Sequence, residues 1–484
     1  MKKRRTRLLI LGSSALLLAG CASYSGIAPE VVKLDGPALL GKGEAYSGWP
    51  QQDWWSELQD PALSELITQA LNDNPSLQAA AARLRRASAI AGQTESNLWP
   101  QLGASSSSTR ERFSENGLIP PPYAGTTQNV NDLQLTGQWE VDFFGKNREA
   151  LRAALGEVRA SEAEHQAARQ FLAGNVARGY YNLARLLAQR ELAEVRQQQR
   201  LALAQLVERR FKAGIDTRVE LESAKGVVPE NARDIAAVEE QISLARHALA
   251  AMIGKQPDAA DALSPRLPAV APLALPKSLP ADLLGHRADV VAARWRVEAA
   301  AHGLESARAS FYPNVNLNAF AGFSAIGFNQ WLDSGSRQPG VGLAITLPIF
   351  DAGRLRSLYR VSAASVDASV ASYNTTLLEA LRDIADQLST LQSLDTQFQQ
   401  QQASQASAQR SYDLALQRYR ADISDRLNVL NAESSLIAQR RASIDLQARW
   451  IDGRVRLITA LGGGFAETAP PTQAGGITDK NKQN

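Results

Sequence analysis

The chain has 484 residues, of which 44% are hydrophobic and 21% charged, with a formal net charge of +3. This composition excludes a disordered chain and a helical membrane protein, and the near-neutral charge leaves no footprint for nucleic acid. Aromatic residues make up only 6%, and Ala, Gln, Leu and Arg fill the middle of each half, which suits long, closely packed helices.

The single cysteine, Cys21, rules out an intrachain disulfide framework or a thiolate cluster. Residues 1–7 are basic, residues 8–18 are apolar, and Leu18-Ala19-Gly20-Cys21 resembles a bacterial lipobox. The apolar run is too short to span a bilayer, so residues 1–20 read as a lipoprotein signal peptide. Cys21 is then the lipidation site, where several acyl chains give stable anchoring. No aspartate follows Cys21. By resemblance to lipoproteins of double-membrane bacteria, that directs the chain to the outer membrane.

Residues 21–59 show no sustained period and read as a lipidated, extended arm. A helix opens at Pro61 with Asp60 as its N-cap, and Pro75 divides it into a short and a longer piece. After Pro100 the period changes to two. Residues 101–113 alternate weakly, 116–129 form a loop, and Leu133, Leu135, Gly137, Trp139 and Val141 alternate with polar residues. The reading is a β-hairpin over 100–142. Helical period then runs from 146 to about 210, a rod of about 100 Å. A return helix follows to 253 with a heptad seam at Ile235, Val238, Ile242, Ala245, Leu249 and Met252. Pro229 predicts a kink or local unwinding there.

Six prolines fill residues 255–281, a linker between two repeats, 60–254 and 282–462. In the second repeat a helix over about 282–310 precedes a hairpin over 313–350. Long helices then span 352–461, with Leu377, Leu381, Ile384, Leu388 and Leu391 as the seam. Residues 463–484 read as a mobile tail. Each pair of long helices is joined by a tip, near 211–217 and near 419–425, and the two tips align at an offset of 208 residues. In each, a left-handed residue, Gly214 or Asp422, stops one helix. Asp216 or Ser424 offers the side-chain oxygen to cap the next.

Four strands cannot close on themselves, and their edges would leave unsatisfied backbone groups in lipid. Membrane-spanning strands therefore require several chains to share one barrel. The competing reading is a small soluble β-subdomain on a coiled-coil rod.

The lipobox, the duplicated plan, the strand-ending Phe143-Phe144-Gly145-Lys146 and Phe350-Asp351-Ala352-Gly353-Arg354, and the two tips together resemble the outer membrane factors typified by TolC. The lipid site places the chain nearer the OprM-like and NodT-like lipoprotein branch. The resemblance implies an α + β membrane protein: a homotrimer sharing a 12-stranded β-barrel, four strands per chain, continued by a periplasmic α-helical barrel. It implies a passive exit duct of a tripartite efflux system, working with a periplasmic membrane-fusion adaptor and an inner-membrane RND-type pump. Small amphipathic compounds would be the cargo.

The family's constriction, a leucine ring and an acidic ring, falls on Leu427 and on Asn431, an amide where a carboxylate is expected. Asp422 and Asp425 could supply negative charge, with Arg418, Arg420 and Arg426 available to pair across protomers. Gly214, Ile215, Asp216, Ile423 and Ser424 fall at the adaptor-docking tips. No catalytic constellation, cofactor motif or metal-ligand spacing emerges: His165, His247, His286 and His302 lie far apart. The alternatives are a poreless, lipid-anchored adaptor or scaffold, or a duct for proteins or metal ions.

Overall fold

A computed structural model describes residues 23–35, 49–270 and 283–467. The signal peptide, Cys21, residues 271–282 of the linker and the tail beyond 467 lie outside the described residues.

The first helix, α1 (Pro61–Asp73), begins where the sequence requires. The Asp60 carboxylate accepts from the Leu63 amide at 3.1 Å, and a proline at the first helical position forfeits no hydrogen bond. Pro75 then starts α2 (Pro75–Ser96), followed by β1 (Gln101–Arg112), β2 (Thr127–Val141) and α3 (Lys146–Lys212). The return helix is α4 (Arg218–Met252). After a single turn at Leu283–His286 come α5 (Ala288–Ala309), β3 (Asn314–Ile326), β4 (Gly340–Thr346), α6 (Arg354–Arg420) and α7 (Arg426–Ala460). The helix expected over 282–310 is thus broken at Arg287. That guanidinium bonds Asp289 at 2.6 Å and the Ala460 carbonyl at 3.4 Å, turning the chain at that point.

The duplication is exact to the residue. Helices α3 and α6 each span 67 residues and α4 and α7 each span 35. Every boundary of the second pair lies 208 positions after its counterpart, 354 against 146 and 426 against 218.

Contacts divide the chain into two units. One comprises residues 1–34, 83–162 and 292–374 and contains the sheet. Its small core joins Leu304 and Ala307 to Tyr359, Ala363, Val366 and Val370. Helices α3 and α5 approach so closely that a Cβ on Gly156 would sit 2.9 Å from that of Ala299.

The other unit comprises residues 35–82, 163–291 and 375–484. Its core gathers Trp54, Leu63 and Ile67 with Leu183, Leu249, Ile384 and Ile451, all fully buried. Each such side chain contributes about 1.5–3 kcal/mol by leaving water. The α4 seam is buried or half-buried at every predicted position, as is that of α6. Helix α4 continues unbroken through Pro229, against the expected unwinding. Pro229 is exposed, so the carbonyl it displaces can be hydrated. Two residues on, the buried Asn231 amide donates to the Ala193 carbonyl and to Gln197 Oε1, holding α4 on α3.

The α6 core ends at Leu394; none of residues 395–420 is buried. An amide ladder joins α6 to α7 instead. Gln401 donates to the Gln439 carbonyl at 2.9 Å, Ser443 to Gln405, and Arg440 to Gln409 at 3.1 Å.

Candidate membrane sheet and helical tips

The four strands form one antiparallel sheet in the order β1-β2-β3-β4, so the two hairpins join through β2 and β3. Residues directly opposite share a face, and the register sorts the sheet cleanly. Leu135 pairs with Ala104 and Ala321, Trp139 with Leu317, and Leu317 with Leu343. One face is therefore Leu, Val, Trp, Ala and Phe from β2 to β4, tapering into Leu102 and Ala104 on β1. The other carries Gln134, Thr136 and Gln138 beside Asn314, Asn316 and Asn318, with Phe320 lying over Gly340. On β2 and β3 the apolar runs last nine residues, Leu133 to Val141 and Val315 to Phe323. That is the length of a tilted strand crossing a bilayer.

A soluble subdomain would cover its apolar face. Here that face is bare: Val341 is 84% exposed, Ile345 65% and Leu135 53%. The outer edges of β1 and β4 have no strand partner among the described residues. No helix of the described residues is long and apolar enough to cross a membrane.

The two tips, both in the second unit, close alike. Gly214 (φ 72°) and Asp422 (φ 56°) hold the left-handed conformation. The amides of Ile215 and Ile423 reach back to the carbonyls of Arg210 and Arg418, 2.9 Å in each case. The caps, however, lie one residue later than the sequence reading has them. Thr217, not Asp216, caps α4, in a reciprocal box with Glu220. The Thr217 amide donates to the Glu220 carboxylate at 2.6 Å; this bond and the Thr217 hydroxyl hold that carboxyl below its usual range. Asp425, not Ser424, caps α7, accepting from the Asn428 amide at 3.0 Å.

The displacement has a physical cause. Asp216 is taken by Arg210, whose Nε lies 2.9 Å from both carboxylate oxygens. Ser424 instead accepts from the Asn428 side chain at 3.0 Å. Arg210 also reaches the second tip, with Nη1 3.9 Å from Asp425. This link joins Arg210, Asp216 and Asp425, which the sequence reading does not connect. Asp425, expected to face other protomers, is engaged within its own chain.

Leu427 is half-buried at the start of α7, ahead of buried Val429 and Leu430, and Asn431 is exposed one turn later. Asp422, Arg418, Arg420 and Arg426 are exposed and form no ion pair among the described residues. Glu433, two residues past Asn431, is half-buried. Burial pushes its carboxyl up, and Arg426 and Arg440 pull it back only in part. Among the described residues no group of three His, Cys, Asp or Glu side chains could hold a metal ion.

Comparison with known proteins agrees with this geometry. The sequence model of the outer membrane efflux protein family matches residues 66–255 and 279–463. A putative multidrug resistance outer membrane protein, MdtQ of Shigella flexneri, is 33% identical over 93% of this chain and 96% of its own length. The fusaric acid resistance protein FusA of Burkholderia cepacia is 37% identical over 71% of this chain and 66% of its own length. The crystal structure of the outer membrane protein VceC from Vibrio cholerae superposes with a TM-score of 0.79 at 37% identity, covering 86% of this chain and all of VceC. The outer-membrane channel OprN superposes with a TM-score of 0.79 at 26% identity, covering 91% of this chain and 97% of OprN. The chain therefore belongs to the outer membrane efflux protein family, and it is an efflux duct component of the outer membrane.

Proposed function

We propose that three copies of this chain assemble into a passive exit duct, anchored by acyl chains on Cys21, for small amphipathic compounds delivered by an inner-membrane RND-type pump through a periplasmic adaptor. The observation that carries this reading is the sheet, with a bare apolar face and two open edges. Open edges cost several kcal/mol for each unsatisfied backbone group in lipid. Three copies supply twelve strands, enough to close a barrel. The apolar face then meets lipid and the amide-rich face lines the pore.

The helical tips are the periplasmic end. Gly214, Ile215, Asp216, Ile423 and Ser424 present the surface for the adaptor. Leu427 with Asn431 forms the constriction, in the company of Asp422, Asp425, Arg418 and Arg426. A ring of Asn431 amides repels itself less and binds cations less well than carboxylates would. The names of MdtQ and FusA support small toxic compounds as cargo.

Single-channel recording of the purified protein tests the duct. The wild type should conduct weakly, and L427A combined with D425N should open it. Silence from both would overturn the reading. Mass analysis tests the anchor, since C21S should abolish acylation; an unmodified wild type would remove that part.

A further inference from the structure

Between α3, α4 and α7 lies a cavity of about 640 Å³ with both apolar and basic lining. Leu192, Val238 and Ile437 are among the apolar side chains. The basic ones are Arg185, Arg196 and Arg200 on α3 and Arg441 on α7. Along α3 the arginines recur on one helical face, over about 22 Å. Two aspartates also line the cavity, and both are already engaged. Asp445 accepts from Gln189 at 2.5 Å and lies 3.8 Å from Arg185. Asp234 lies 3.0 Å from Arg233 and 4.0 Å from Arg196.

Arg200 and Arg441 form neither a hydrogen bond nor an ion pair among the described residues. Arg200 is half-buried. Burial, with Arg196 beside it, pulls its guanidinium below the usual value, and Glu230 offsets this only in part. An unpaired, partly dehydrated guanidinium is a strong donor to an oxyanion. A second polar group in the cavity is also unmet. Asn231 is 1% exposed, and its amide nitrogen is spent on Ala193 and Gln197. Its Oδ1 accepts from nothing among the described residues, so it calls for a donor on whatever fills the cavity.

The α7 residues relate this cavity to the constriction. Leu427, Asn431, Ser434, Ala438, Arg441 and Asp445 follow at alternating intervals of 4 and 3, which keeps them on one face. The cavity therefore lies on the α7 face that carries Leu427, with Arg441 about 21 Å farther along the axis.

We propose that this cavity binds amphipathic organic anions that also carry an N–H or O–H donor, on the lumen side of the duct beyond its constriction. Arg200 and Arg441 take the oxyanion, Asn231 the donor, and Leu192, Val238 and Ile437 the apolar body. The inference rests on the exit-duct reading and deepens it by naming the charge of the cargo.

The test is calorimetric titration of the purified full-length protein, in a non-ionic detergent, with dansylglycine. That probe joins a carboxylate and an N–H to an aromatic body. Binding should be saturable, and R200Q/R441Q should weaken it at least about tenfold. R441Q alone, at an exposed position where folding is not at stake, should weaken it about threefold. Neutral dansylamide should bind at least about tenfold more weakly than the acid. No saturable binding, unchanged affinity in both variants, or equal affinity for dansylamide overturns the proposal. Inorganic phosphate that competes as well as the unlabelled organic acid overturns its amphipathic part. Conductance of the same preparation separates this inference from the reading beneath it. Dansylglycine should lower the wild-type conductance and spare R200Q/R441Q at the same concentration. Conductance without binding sinks the site alone. Binding without conductance, even after L427A with D425N, sinks the duct and leaves the site. Binding that leaves conductance unchanged removes the site from the lumen.

Discussion

The two hairpin tips have the same backbone and different wiring. Arg210 and Arg418 occupy equivalent positions 208 residues apart, as do Asp216 and Ser424. In the first repeat Arg210 closes on Asp216, whose side chain is only 10% exposed, and the loop is clamped to its own helix. In the second, serine cannot form that ion pair, and Arg418 stays exposed. The cap of α7 leans on the first tip instead, through Arg210 and Asp425. One tip is thus self-sufficient, while the cap of the other leans on its neighbour.

Removing Arg210 should have the largest effect on this asymmetry. R210Q should destabilise the tips locally by about 2 kcal/mol, from lost charge-assisted hydrogen bonds, and raise amide exchange at both Ile215 and Asn428. Exchange rising at Ile215 alone would show that the Asp425 link carries nothing. T217A and D425A should each cost about 1 kcal/mol of helix capping, read as a lower unfolding midpoint. Installing the missing clamp, S424D, should stabilise the second tip by about 0.5–1 kcal/mol and lower the open probability in single-channel records. R418Q should change the chain's own stability by less than about 0.5 kcal/mol, yet alter conductance if the residue acts between copies.

The smallest effect concerns pH. Thr217 lowers the Glu220 carboxyl in the folded state, so that contribution is complete above the unfolded carboxylate value and fades as pH falls through the folded one. E220Q should therefore flatten the acid limb of exchange at the first tip only. A matching change at Asn428 would contradict the separation of the two tips.

The duplication was legible in the sequence because helix periods and stop residues are local properties. The 208-residue offset follows from them directly, and so do the two faces of the sheet, since alternation along a strand determines which side chains share a side. The caps were misplaced by one residue for a reason that no local pattern contains. Asp216 is a good N-cap residue, but Arg210, six positions earlier, competes for it. The placement of residues 23–34 was invisible for a related reason. They have no period of their own and are held by Asp367 and Asn374, more than 300 positions away. Leu427 and Asn431 could be located only through the family resemblance, because nothing in their immediate sequence distinguishes them from other seam and surface positions.

The matched helix lengths restrict how this molecule can change. With α3 equal to α6 and α4 equal to α7, a turn inserted into one hairpin alone would lift its tip by about 5 Å and carry Arg210 out of reach of Asp425. Equal changes in all four helices would keep Arg210 beside Asp425. The lengths of the four helices are in effect coupled in whole turns.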